Sequence, residues 1–179
     1  PIESVIVPSS SNERSFINAK DANTYGVEFD TYRWLDFVNE KLENFYVSTN
    51  FTLIRSEVSI RPEDSGIVTN TSRRLQGQAD FIGNLQLGYD DGFKQKASLV
   101  YHITGDKIRE VGILGAPDVM DQAYGEVDLN YTRFFGDHVE LNVKVKNLTN
   151  QLQESTQGGY DMNSYQEGTS ASMGLTWTF

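Results

Sequence analysis

Two histidines, His102 and His138, are the only imidazoles among 179 residues, and the chain has no cysteine. Disulfides, thiolate ligands and cysteine nucleophiles are therefore excluded. No His-x-x-His or His-Glu pairing accompanies either histidine, so spacing builds no metal centre around them. Asp90-Asp91 and Asp118 with Asp121 offer the hard oxygen ligands that calcium prefers, yet neither pair belongs to a loop with the alternating ligands of a calcium hand. Turn formation accounts for the first pair and loop solubility for the second. Ser9-Ser-Ser11 and the Ser170/Ser172 pair lack a partner base and a Gly-x-Ser-x-Gly elbow. Gly112-Ile-Leu-Gly115 precedes no Lys-Ser/Thr and opens no helix, so it is no phosphate loop. Asn147-Leu-Thr149 fits the glycosylation triplet but reads as strand-end chemistry. The chain is read as a non-enzyme, with no catalytic residue, no cofactor and no resident metal.

Residues suited to binding lie elsewhere. The polar link 151–164 carries Tyr160, with Tyr165 just beyond it, and the link 61–74 ends in Arg73-Arg74. Aromatic faces stack on ligands, and a guanidinium pair matches phosphate oxygens in a fork. Glu126, Asp128, Glu140, Lys144 and Lys146 alternate with apolar residues and would share the polar side of their strands.

Strands must position these groups. In Val139-Glu-Leu-Asn-Val-Lys-Val-Lys146 every second residue is apolar, which is the period of a half-buried strand. The same alternation runs through Tyr25, Val27 and Phe29; through Leu85, Leu87 and Tyr89; and through Ala97, Leu99, Tyr101 and Ile103. It recurs in Val127, Leu129 and Tyr131, and again in Ala171, Met173, Leu175, Trp177 and Phe179. Helical periodicity appears only weakly, at 36–43. The pattern predicts an all-β chain with segments at about 1–7, 15–35, 45–60, 74–90, 93–110, 124–135, 138–150 and 165–179. Tight turns at Asp90-Asp-Gly92 and Gly136-Asp137, and a longer one near 36–44, alternate with polar links at 61–73, 111–123 and 151–164. Short turns at one end and long links at the other is the layout of an antiparallel up-and-down transmembrane barrel. Aromatic residues crowd the short-turn ends (Trp34, Phe37, Phe45, Tyr46, Tyr89, Phe93, Phe134, Phe135, Trp177, Phe179), as an interfacial girdle would.

Bulk properties permit this. The net charge of −10 argues against nucleic acid. No apolar run is long enough for a membrane helix, which leaves barrels open because their strands are apolar only at alternate positions.

Several stretches together resemble the C-terminal barrel portion of a TonB-dependent outer-membrane receptor. They are "PIESV" (1–5), "SFINAKDANTYGVEFD" (15–30), "RRLQGQADFIGNLQLGYDD" (73–91), "GDKIREVGILGAPDV" (105–119), "LNVKVKNLTNQ" (141–151) and the terminal "GLTWTF". The resemblance covers nearly the whole chain in the family's order. It implies about eight strands of a larger, twenty-two-stranded barrel, without the plug domain. It also implies a bacterial outer-membrane location and energy-coupled uptake of a scarce nutrient: a siderophore, a vitamin or a glycan-like ligand. The implied partners are outer-membrane lipid and lipopolysaccharide, the barrel-assembly machinery, the remaining barrel and plug, and through these the TonB energy-coupling system. Arg73 and Arg74 become candidates for lipopolysaccharide phosphate, and Tyr160 and Tyr165 for ligand. Gly174, Trp177 and Phe179 resemble the terminal signal read during barrel assembly. The first segment, between Pro1 and Pro8, reads as a strand cut short, so pairing of 1–7 with 170–179 in a closed eight-stranded barrel is not expected. The rival readings are a small autonomous outer-membrane barrel and a soluble lipocalin-like carrier.

Overall fold

A computed structural model describes residues 2–6, 14–61, 63 and 66–179, with side chains from Phe16 onward. Ser9–Ser11 and the two prolines bounding the first segment lie outside the described residues. The fold is all-β and antiparallel. Its strands are β1 (Ile2–Ile6), β2 (Arg14–Asn18), β3 (Asp21–Trp34), β4 (Phe45–Ser59), β5 (Ser72–Arg73), β6 (Phe81–Asp90) and β7 (Gln95–Thr104). They continue as β8 (Lys107–Glu110), β9 (Val119–Asp121), β10 (Tyr124–Phe135), β11 (Val139–Lys146), β12 (Gln153–Gln157), β13 (Tyr160–Tyr165) and β14 (Ser170–Trp177). The weak helical signal is a single 3-10 turn, Glu40–Leu42, capped by the Asn39 side chain accepting from the Lys41 N–H at 2.9 Å.

The main sheet runs β14-β11-β10-β7-β6-β4-β3, with β5 paired to the end of β4. Neighbours are joined at one end by residues 35–44, 91–94 and 136–138, and at the other by the long connections 60–80, 105–123 and 147–169. Register makes this sheet two-faced. Phe29, Phe51 and Gly83 lie in one row, and Leu87, Leu99 and Leu129 in another. Leu129 continues the second row to Val145 and Ala171. Because strand side chains alternate, a single apolar set occupies one face of all seven strands. The other face carries Glu28, Asn50, Asn84, Gln86, His102, Glu126, Asp128, Glu140, Lys144 and Lys146. Among the described residues the sheet does not close: β3 and β14 each pair on one side only, and β1 pairs with β2 rather than with β14.

Two of the expected strands are divided and a third ends early. Segment 15–35 breaks after Asn18, where the Lys20 N–H bonds to the Ser59 carbonyl before β3 starts. Segment 93–110 breaks at Gly105, where the Phe81 ring packs so closely that a Cβ would stand 2.9 Å from it. Segment 138–150 ends at Lys146 because Asn147 turns left-handed, with φ 53°. The long connections also differ from the loops predicted for them. They contain β5, and β13-β12-β9-β8 form a second, four-stranded sheet.

The core sits at the long-connection end of the sheet. Val58, Ile60, Ala79, Ile108 and Val111 are buried. Val58 shares the face of Glu28 and Asn50 but lies at the end of β4, where β5 pairs with it; farther along that face Glu28, Lys144 and Ser172 are exposed. On β4, Ser56 and Val58 are buried while Leu53, Arg55 and Glu57, on the opposite face, stay exposed.

Candidate functional site

The polar face of the main sheet is laced by side-chain hydrogen bonds. Asn50 Nδ2 donates to Glu28 Oε1 at 3.0 Å, Thr132 Oγ1 to Asn142 Oδ1 at 2.8 Å, and Asn142 Nδ2 to Glu140 Oε1 at 2.8 Å. His102 is part of this lacing: its Nδ1 lies 2.5 Å from Asn84 Oδ1 and its Nε2 3.9 Å from Asp128 Oδ2. His138 Nδ1 lies 3.0 Å from the Thr178 carbonyl, which ties the last residues to the β10–β11 turn. Asn147 is a hub. Its N–H donates to Asp128 Oδ1 at 2.9 Å, its Nδ2 to the Gly168 carbonyl at 3.2 Å, and its own carbonyl accepts from Thr169 Oγ1 at 2.8 Å. This is the strand-end role read from the Asn-Leu-Thr triplet.

The Asp90-Asp91 pair serves a turn, whereas the second pair divides: Asp118 pins a loop and Asp121 ends β9. Asp91 Oδ1 accepts from the N–H groups of Phe93, Lys94 and Gln95 at 3.0, 2.7 and 3.0 Å, and Asp90 Oδ1 from that of Gly92 at 2.8 Å. The Gln95 bond, followed by that of Lys94, holds the Asp91 carboxyl below its ordinary range. Asp118 accepts from the Gly112 N–H at 2.7 Å and from Asn70 Nδ2 at 3.2 Å, pinning residues 112–118 beside Asn70. The Gly112–Gly115 stretch is thus a packed loop: a Cβ at Gly112 would meet the Ala116 carbonyl.

The four sequence candidates for ligand contact separate. Arg73 is buried, its Nη1 donating to the Arg74 carbonyl at 3.4 Å. Arg74 bridges Asp80 and Asp106, reaching Asp106 Oδ2 at 2.8 Å. The Asp80 hydrogen bond, against opposing burial and with Asp106 adding to it, raises the Arg74 guanidinium above its ordinary value. Both arginines line a hollow of about 720 Å³ with Asn23, Ser72 and Asp80. Tyr160 projects from the Gly158-Gly159 hairpin, 80% exposed. Tyr165 is held differently, its hydroxyl donating to Gln153 Oε1 at 2.7 Å.

Tyr165 belongs to a second cavity, of about 410 Å³, where the four-stranded sheet meets the ends of β7 and β10. Lys107 faces Asp121 across β8 and β9, and Asp121 faces Ser155 across β9 and β12. A bulge between Ile108 and Glu110 leaves Arg109 unopposed in the ladder, and bulges of this kind re-aim side chains. Its Nη1 donates to Ser155 Oγ at 2.9 Å and stands 3.6 Å from Asp121 Oδ1, while Ser155 Oγ donates to Asp121 Oδ1 at 2.7 Å. Gln122, Tyr124, Gln153, Glu154 and Glu167 complete the wall. Sequence reasoning singled out only Tyr165 and Asp121 of this set, and Asp121 not as a binder. The available signal was Lys107-Ile-Arg109, whose central Ile108 is buried while its neighbours line the cavity.

On the last strand, Gly174 lies opposite Asn142 and Trp177 opposite Val139. Trp177 and Phe179 are both strongly exposed. The short-turn aromatics do gather at one end, but on both faces. Phe45 and Tyr89 pair edge-on at 5.0 Å on the apolar face, whereas Tyr32, Trp34 and Tyr46 cluster on the polar face at 5.0–5.9 Å. No protein-family model matches the chain, and no curated protein matches it.

Proposed function

We propose that this chain is part of the wall of an outer-membrane β-barrel, of the TonB-dependent receptor type, serving energy-coupled uptake of a scarce nutrient. The observation carrying this reading is the uncovered apolar face. Val27, Phe29, Leu53, Leu85, Leu87, Leu99, Met173 and Leu175 all lie on it, and all are exposed although register stacks them together. Such a surface is far larger than the scattered patches of a soluble monomer, and apposition to lipid answers it. From Phe81 to Tyr89 the band measures roughly 26 Å along the strand, or about 20 Å in height once tilted, near the ~25 Å of an outer-membrane barrel.

A lipocalin-like carrier would turn its apolar face inward beneath its loops; here that face holds exposed Val27, Phe29, Leu99 and Met173. A small autonomous barrel would pair β1 with β14; among the described residues β1 pairs with β2, and β3 and β14 each keep one open edge. Free edges in lipid leave backbone groups unsatisfied at several kcal/mol each, so these two edges favour a longer wall whose remaining strands, with a plug against the polar face, complete the receptor. The terminal Gly174, Trp177 and Phe179 then serve recognition by the assembly machinery through strand addition at the β14 edge. Electrophoretic mobility that changes on heating, together with a detergent requirement, is the expected behaviour. A folded monomer free of detergent would overturn the reading.

A further inference from the structure

The cavity beside the four-stranded sheet has a chemistry that selects among ligand classes. We propose that Arg109, Asp121, Gln153, Glu154, Tyr165 and Glu167 form the binding site for an uncharged, polyhydroxylated ligand of the oligosaccharide class. The inference rests on the reading above, in which the long connections face the outer medium.

Three properties carry it. First, the volume of about 410 Å³ lies in the range of small-molecule sites, and the wall is dominated by polar atoms, which suits no apolar ligand. Second, the charges disfavour an anion. Asp121, Glu154 and Glu167 outnumber Lys107 and Arg109, and Arg109 is already committed to Asp121 and Ser155. Lys107 stands opposite Asp121 in the ladder. A carboxylate or catecholate ligand would meet more negative than positive charge at close range. Third, the remaining groups suit hydroxyls. Carboxylates accept O–H bonds, the amides of Gln122 and Gln153 can both donate and accept, and two tyrosine rings supply apolar faces for the C–H side of a sugar. Tyr165 is already fixed through its hydroxyl on Gln153, so little freedom is lost when a ligand stacks on it.

The test is retention of the full detergent-purified chain on an array of neutral, amine-bearing and uronic-acid oligosaccharides, with heat-modifiable mobility measured on the same preparation. Neutral members should be retained in preference to uronic acids. Tyr165→Ala and Glu154→Gln should each weaken retention by about tenfold. Tyr165→Phe, which keeps the ring but releases it from Gln153, should weaken retention less than Tyr165→Ala, and Tyr160→Ala, outside the cavity, should retain binding. Preference for the acidic or the amine-bearing members, or no retention at all, overturns the proposal. Neutral glycans retained by a chain with unchanging mobility would uphold the cavity and discard the barrel.

Discussion

Val27 and Leu53 stand directly opposite one another on β3 and β4, and both are more than half exposed, at 71% and 52%. Five residues beyond Leu53, on the opposite face, Val58 is fully buried. A water-soluble sheet would bury the paired residues and expose the odd one. This inversion leads to a prediction about charge. Leu99, in the centre of the apolar row, replaced by Arg should cost about 2–4 kcal/mol in phospholipid vesicles, the scale for a barrel's lipid face. Urea unfolding checks it. A loss within about 0.5 kcal/mol, as for ordinary surface sites, would contradict lipid contact.

The polar face should respond to packing. A Cβ at Gly88 would fall on the Tyr46 ring, whose hydroxyl accepts from Gln86 Nε2 at 2.9 Å. Gly88→Ala should destabilise by about 1–3 kcal/mol, through overpacking. Tyr46→Ala in the same chain should recover most of that difference, which a double-mutant cycle in urea would read.

Asn147 combines a left-handed backbone with a buried amide. Asn147→Gly keeps the backbone but loses the bond to Gly168, and should cost about 1–3 kcal/mol. Asn147→Ala adds backbone strain and should cost more. Equal losses in the two variants would show that the left-handed conformation is not strained.

Acid should loosen the β6–β7 turn. Asp91 is held below its ordinary carboxyl range by N–H groups of Gln95, Lys94 and Phe93. Its stabilisation is therefore fully present above that range and fades as pH falls through the lowered value. Amide exchange at Phe93–Gln95 should slow less on acidification than base-catalysed intrinsic exchange does, and Asp91→Asn should remove that difference.

Phe179→Ala should reduce the amount of chain assembled in the membrane while leaving uptake per assembled receptor unchanged. Quantitative blotting of membrane fractions beside a transport assay separates the two. Full assembly with lost uptake would refute a role in assembly.

Period-2 alternation made the seven long strands legible, because each has one apolar face and each tight connection carries Gly, Asp or Asn. It failed at the long connections for a physical reason. Gln153–Gln157 has no apolar residue and Val119–Asp121 only three residues, so neither shows a period, and their pairing with each other joins positions more than thirty residues apart. The cavity was hidden for the same reason: Arg109, Asp121 and Ser155 meet only once those strands pair. Arg74 read as a free phosphate binder because nothing local announces Asp80 and Asp106 as its partners.

The central claim, that one face of this sheet meets lipid, is most directly tested by spin labels. With no cysteine in the chain, single cysteines can be placed along β6 and β7 at Ile82–Asp90 and Gln95–Thr104 without background. In reconstituted membranes, labels at Leu85, Leu87, Leu99 and Tyr101 should be accessible to dissolved oxygen and shielded from a water-soluble nickel chelate. Labels at Asn84, Gln86, Val100 and His102 should lack that lipid signature. The same alternation in the opposite phase, or no alternation at all, would contradict it.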